Sequence, residues 1–396
     1  MKKVLIFSHA LEIGGAERAL LGLLNSFDTS RYEVDLFLMR HEGELFRYIP
    51  DQIRLLPSVK QYTGLAVPMT SLIRKKLFRI IYGRLKAKIL ARRFIKRHGL
   101  RDDNAVELEY SHKYTRKYMP SVSDKEYDLA ISFLTPHYFV AEKVMAKRKI
   151  AWIHTDYSYV GVDVCSELEM WDRYDRIASI SPDCTKSFLG VFPELKDKIV
   201  EIENISSADF IRQQAAEATP DVYDDDRINL LSIGRFCHPK NFDNVPDICK
   251  RIRDAGINAR WFLIGFGPEE DLIRRKIKEV GMEEHVIVIG KMSNPYPYIA
   301  NCDIYVQPSR YEGKAVTVRE AQILSKPVVI TAYPTSASQL ADGFDGVIVP
   351  MDNAGCAEGI ARVIRDDALR QKLIENTGKT DYSGADEIQK LYALIG

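Results

Sequence analysis

Short runs rich in valine and isoleucine, each separated from the next by a helical stretch, recur along nearly the whole chain. No other feature constrains the fold as strongly. In the first half the runs fall at 3–7, 33–38, 128–133, 149–153, 176–180 and 199–202. In the second half they fall at 228–233, 260–264, 286–289, 303–307, 327–331 and 346–349. Runs this short and this uniformly apolar predict strands buried on both faces, hence parallel sheets covered by crossover helices. Two consecutive sets predict two doubly wound α/β domains, with ligands at the carboxyl ends of the strands. A chain of 396 residues also exceeds what one hydrophobic core supports. The polar stretch 219–226 has no sustained apolar period and reads as a linker. The expected domains are therefore 1–205 and 206–379, with a helix at about 380–396 available to pack back on the first domain.

A formal net charge of +1 excludes a globally basic nucleic-acid binder. The six cysteines are scattered, without a C-x-x-C pair or a histidine cluster at metal spacing, so reduced thiols and no metal site are expected. The apolar start of the chain runs directly into Ser8, His9 and a glycine-rich turn, which reads as a buried strand rather than a leader. No run of eighteen apolar residues is present, so no spanning helix is expected, and the reading is cytoplasmic.

One segment breaks the pattern. From Gln52 to Arg101 there is no Asp or Glu, and 72–101 carries twelve Lys and Arg. Leu72, Ile73, Leu77, Ile80, Ile81, Leu85, Ile89 and Ile95 recur there at roughly helical spacing. A basic amphipathic helix suits an anionic membrane surface. A solvated surface hairpin is the plainer reading, and nucleic acid is the weakest of the three.

Several loops at predicted strand ends carry chemistry. Gly14 and Gly15 open the first helix, where unpartnered backbone N–H groups suit a phosphate or simply make a tight turn. The spacing is not the dinucleotide fingerprint. Gly234, Arg235 and Lys240 leave the first strand of the second set, placing two cations for a diphosphate or for solvent. Gly265 and Gly267 end the next strand before a helix with Pro268 near its start, leaving room for a nucleobase or serving the cap. His154 follows a strand with Asp156 nearby, and reads equally as structural or as facing the ligand. Glu312 and Glu320 stand eight positions apart, in a loop and in the helix expected at 315–324. Helical rise over that whole span would separate the α-carbons by ~12 Å, against ~5–9.5 Å between the carboxyl groups of a glycosidase pair. Two anchors for the two ends of one ligand fit better than an acid/base couple. A helix-start Glu and a surface Glu with no ligand role remain the alternative.

The series GRFxxxKN, LIGFGPE, DIYVQPSRYEG and the Glu-x7-Glu pair resembles the retaining GT-B glycosyltransferases of family 4. The stretch EGKAVTVREAQ, followed by KPVVIT and TSASQL, is similar to bacterial enzymes that assemble capsular or cell-surface polysaccharides. The resemblance is strongest over 232–350 and poor over 52–125. It implies a GT-B fold: two Rossmann-like domains facing a central cleft, with the nucleotide sugar held by the second domain. Glu320 would then bind the ribose hydroxyls. Glu312 would bind the donor sugar, with Gly313, Lys314, Ala315 and Val316 beside it. Arg235 and Lys240 would hold the diphosphate, with Gly234, Gly265 and Gly267 also lining the donor site. Gly14 and Gly15 would approach the donor phosphate, and His154 would touch the sugar near the reacting carbon. The implied donor is UDP-linked, a hexose or N-acetylhexosamine, and the implied acceptor is a hydroxyl of a glycan or lipid-linked oligosaccharide. No metal and no cofactor are implied. Lys314 departs from the aromatic or aliphatic residue usual after Glu-Gly in the family, and Gln339 stands where Glu is frequent. A nucleotide-sugar 2-epimerase of the same architecture and a catalytically silent binding subunit are the rival readings.

Overall fold

Val4, Leu5, Ile6 and Phe7 in the first strand are all fully buried, with no alternation between an inner and an outer face. That is the pattern of a strand covered by helices on both sides. The computed structural model describes residues 1–100, 104–158, 160–223 and 226–395. Arg101 in the basic stretch and Asp224 and Asp225 in the expected linker lie outside the described residues. By its internal contacts the chain divides into two units, 1–205 with 385–396, and 206–384.

Unit 1 holds seven strands: β1 (Lys2–Ser8), β2 (Tyr32–Leu38), β3 (Arg54–Leu55), β4 (Glu126–Ser132), β5 (Met145–Ile153), β6 (Arg176–Ser179) and β7 (Ile199–Glu201). They lie in the order β3-β2-β1-β4-β5-β6-β7, and all pairings are parallel. Unit 2 holds β8 (Ile228–Ile233), β9 (Ala259–Ile264), β10 (Val286–Gly290), β11 (Ile304–Gln307), β12 (Val328–Thr331) and β13 (Val347–Val349). Their order is β10-β9-β8-β11-β12-β13, again all parallel. Each sheet therefore reverses its direction of growth beside its first strand, between β1 and β4 and between β8 and β11. Loops leaving two such neighbouring strands diverge and leave a crevice at their carboxyl ends. Both units are Rossmann-like.

All twelve expected runs form strands. The strand that no run predicts is β3, a two-residue edge strand too short to show a period. It pairs with Asp35 and Leu36, and Arg54 forks onto the Asp35 carboxylate, which is 1% exposed. The helix Glu387–Ile395 belongs to unit 1: Ile388, Leu391 and Ile395 are buried in the same core as Ile6, Leu20 and Phe27. Tyr392 stacks on Tyr32 with ring centroids 4.3 Å apart.

The basic segment departs from its sequence reading. The apolar residues of 72–101 do not share one face. The helices Met69–Arg74 and Phe78–His98 are separated at Lys76, whose φ is +55°. Leu72, Leu77 and Ile80 are buried, while Ile73, Leu85 and Ile89 are exposed. The longer helix packs on Val106–Thr115 through small residues, Gly83, Ala87 and Ala91. A β-carbon on Gly83 would meet Thr115 Cγ2 at 2.7 Å, so the close approach fixes which side turns inward. Among the described residues no helix is long and apolar enough to cross a membrane.

Candidate functional site

The loops after β8 and β11, the two strands at the reversal point of unit 2, are bonded to each other. Asn241 adopts the left-handed conformation with φ +60° and donates its side-chain amide to the Pro308 carbonyl at 2.8 Å. Arg310 donates its backbone N–H to the Pro239 carbonyl at 2.8 Å and forks onto Asp243 at 2.9 and 3.0 Å. Burial alone would raise the Asp243 carboxyl, but Arg310 and Lys276 outweigh it and hold the group below the usual carboxylate range.

At this junction Lys240 Nζ meets Glu312 Oε1 at 2.6 Å, with the side chains 21% and 10% exposed. The same Glu312 oxygen accepts from Ser309 Oγ at 2.5 Å and from Gln307 Nε2 at 3.1 Å. Tyr305 in turn donates to Gln307 Oε1 at 2.7 Å, which fixes the amide so that its nitrogen faces the carboxylate. Thr335 holds the Glu312 carbonyl at 2.8 Å. The Tyr333 hydroxyl is buried without a hydrogen-bond partner among the described residues, and burial, with the Glu312 charge added, pushes its pKa up. Such a hydroxyl is suited to meet a polar ligand group. Arg235 is exposed; its carbonyl accepts from Cys237 Sγ at 3.5 Å, and among the described residues its guanidinium has no hydrogen bond or ion pair.

The helix expected at 315–324 runs over Val316–Ile323, so Glu312 sits in the loop before it and helical rise does not span the two glutamates. Glu320, 1% exposed, accepts from the Tyr296 hydroxyl at 3.0 Å. It is buried, not a surface residue. Gly313 and Lys314 are half-buried beside Glu312. The Ala315 N–H is already taken, donating to Gln339 Oε1 at 2.7 Å. Gln339, puzzling in the sequence, thus ties the start of this helix to the segment after β12.

Gly234, Gly265 and Gly267 serve contact between loops. A β-carbon on Gly265 would lie 1.9 Å from the Gly234 carbonyl oxygen, and one on Gly267 would lie 2.3 Å from that of Phe236. The room these glycines clear is filled by the neighbouring backbone. A β-carbon on Gly234 would touch the Lys240 stem at 3.3 Å, so its absence lets that side chain pass.

The remaining candidates are in unit 1. Gly15 starts the helix Gly15–Ser26 with Gly14 as an extended N-cap. A β-carbon on Gly14 would lie 2.1 Å from Glu17 Oε2, so a carboxylate already lies against this helix end. His154, directly after β5, is half-buried with both ring nitrogens shielded, and among the described residues neither is hydrogen-bonded; removal of the ring from water pushes its imidazole down to about 3 despite the nearby Phe133 backbone. It is one of four: among the described residues half-buried His9 after β1, and buried His137 after β4 and His112 from Val106–Thr115, also have a shielded ring nitrogen without a partner. His9 and His112 have ring centroids 5.6 Å apart. Isolated in the sequence, they gave no signal as a group. Gln307, Ser309 and Tyr296 were likewise missed as partners, although Gln307 and Ser309 stand inside a quoted motif. Among the described residues no group of three or more His, Cys, Asp or Glu is placed to hold a metal ion.

Residues 216–380 match glycosyl transferases group 1. The matched span contains the whole Lys240–Glu312 junction. A Campylobacter jejuni subsp. jejuni N-acetylgalactosamine-N,N'-diacetylbacillosaminyl-diphospho-undecaprenol 4-alpha-N-acetylgalactosaminyltransferase is 30% identical over 162 residues. The chain is similar to it over 40% of its own length and 43% of the relative's. S. aureus TarM, solved as a variant in complex with Fondaparinux, alpha-GlcNAc-glycerol and UDP, superposes with a TM-score of 0.68 at 14% identity, covering 100% of both chains. Anabaena Alr3699/HepE in complex with UDP gives 0.63 at 15% identity, over 99% of this chain and 100% of that one. At such identities the likenesses establish the fold, which is GT-B.

Proposed function

We propose that the chain is a retaining glycosyltransferase of family 4 that moves a sugar from a UDP-linked donor, a hexose or N-acetylhexosamine, to a hydroxyl of a glycan or lipid-linked acceptor in surface-polysaccharide synthesis. The observation that carries this reading is the Lys240–Glu312 junction at the reversal point of unit 2, inside the span that matches glycosyl transferases group 1. A cation and a carboxylate oriented by Ser309 and Gln307 offer one group to a diphosphate and one to sugar hydroxyls. Glu320, which accepts from the Tyr296 hydroxyl, is assigned to the ribose hydroxyls. Relatives and neighbours named for UDP and for undecaprenyl-diphosphate-linked sugars support the donor and acceptor classes.

In the proposed mechanism the donor phosphate takes the acceptor proton, while Arg235 and Lys240 stabilise the charge growing on the diphosphate as the glycosidic bond breaks. The family resemblance assigns neutral His154 to the donor sugar and the Gly14–Gly15 helix start to its phosphate. No metal or cofactor takes part. The enzyme works at the cytoplasmic face of a membrane, with the basic stretch 72–101 toward its anionic surface. A donor panel scored by UDP or GDP release, with and without glycan or lipid-linked acceptors, tests the reading. Release that needs acceptor and disappears in Glu320→Ala and Lys240→Ala is expected. An isomerised donor formed without acceptor would establish a 2-epimerase instead, and donor binding with no release on any acceptor would establish a silent subunit.

A further inference from the structure

The helix Phe78–His98 carries two apolar stripes on opposite sides, and only one has a use inside the fold. Ile80, Gly83, Ala87 and Ala91 are buried, facing the helix Val106–Thr115. Phe78, Tyr82, Leu85 and Ile89 recur at the same spacing half a turn away, and are 63%, 60%, 50% and 53% exposed. On a helix lying on a soluble domain that side is ordinarily polar. A lone exposed apolar residue is unremarkable, but a contiguous row marks a contact surface. Around the row Arg79, Lys88, Arg92, Arg93 and Lys96 are all exposed, and 52–100 contains no acidic residue.

We infer that this row inserts into an anionic bilayer. Phe78, Tyr82, Leu85 and Ile89 enter the boundary between headgroups and acyl chains, the helix lies in the membrane plane, and Arg79, Lys88, Arg92 and Arg93 meet lipid phosphates. Charge decides the occupant. A second copy of this chain would press two rows of cations together with no acid to offset them. An anionic bilayer supplies negative charge at its surface and apolar chains just beneath, in the order the helix requires. The inference rests on the membrane-surface reading above and not on transferase activity, and it adds insertion to electrostatic attachment.

The test is flotation of the full chain with phosphatidylcholine vesicles, with and without phosphatidylglycerol. Three proteins are compared: the unaltered chain, Phe78→Ser/Tyr82→Ser/Leu85→Ser/Ile89→Ser, and Arg79→Gln/Lys88→Gln/Arg92→Gln/Arg93→Gln. The unaltered chain should bind only the anionic vesicles and keep part of that binding at high salt. The apolar-row variant should lose at least about tenfold in affinity while its circular dichroism stays unchanged, because its side chains are exposed. Tyr82→Trp should shift its emission to the blue on binding and be quenched by lipids brominated near the headgroup. UDP release on a soluble acceptor, measured alongside, keeps failure of the membrane reading separate from failure of the transferase reading. Equal binding by the apolar-row variant, no binding by the unaltered chain, or a dimer that the variant turns into a monomer would each overturn insertion.

Discussion

Lys240 Nζ lies 2.6 Å from Glu312 Oε1, so the cation assigned to a diphosphate and the carboxylate assigned to a sugar are bonded to each other. Lys240→Met leaves a mostly buried carboxylate without its cation, and Glu312→Gln does the converse. In urea denaturation the double variant should be less destabilised than the sum of the singles, with a coupling of about 1–3 kcal/mol. Each single should lower turnover by at least about a hundredfold, and the double should be little worse than the worse single. Additive effects on turnover would mean that the two residues act separately.

Tyr296→Phe removes a donor from buried Glu320 and leaves the ring in place. A cost of about 1–3 kcal/mol in stability is expected, since the carboxylate loses a bond it cannot replace with water. If Glu320 holds the ribose, UDP affinity measured by calorimetry should fall as well. Unchanged affinity would leave Tyr296 a purely structural support.

Gly265→Ala drives a methyl group toward the Gly234 carbonyl, where a β-carbon would sit at 1.9 Å. It should destabilise unit 2 by roughly 1–3 kcal/mol or more. Gly190→Ala, near the end of the helix Pro182–Val191 with nothing within 4 Å, should instead stabilise by a few tenths to about 1 kcal/mol. Thermal melts of the two variants should therefore move in opposite directions.

Acid should attack unit 1 first. Burial lowers His9 to about 4, with Arg40 adding to the effect, and lowers His154 to about 3. His112 and His137 are also pushed well down, chiefly by burial. The unfolded chain binds protons on these imidazoles below pH ~6.5 while the folded chain does not. Stability is therefore full above that pH and falls as the pH drops through 6.5 toward the folded values. Between pH 6.5 and 5 each of His9 and His154 should remove about 2 kcal/mol, while Glu167, raised by burial to about 7, takes up its proton in the folded state and should return about as much as one of them. Trp152 and Trp171 report on unit 1 and Trp261 on unit 2, so replacing the tryptophans of one unit separates the transitions. Unit 2 unfolding first would contradict the prediction.

The strands were legible because burial on both faces writes itself as an unbroken apolar run, and such runs need no knowledge of what covers them. Edge strand β3 left no run, since two residues show no period and its place is set by pairing with Asp35 and Leu36 and by the distant ion pairs of Arg54 with Glu33 and Asp35. Glycine–cation spacing in 234–240 and the Glu312–Glu320 interval pointed to two loops that the fold bonds to each other. What joins those loops was not readable: Gln307, Ser309 and Gln339 act through contacts 5, 3 and 24 positions away, with no periodicity to reveal them. The two apolar faces of Phe78–His98 failed for a related reason. Helical spacing identifies a stripe, and two stripes half a turn apart look alike until a neighbouring helix claims one of them.

The return of Glu387–Ile395 to unit 1 has a consequence for synthesis. Ile388, Leu391 and Ile395 complete a core whose other members lie between Val4 and Ile205. Unit 1 is translated first yet cannot close its core until everything through Ile395 has been made. By then all of unit 2 has been made, and it can fold as a unit as soon as it emerges. The order of completion is thus the reverse of the order in the gene, and through that interval unit 1 must persist with one face of its core still open.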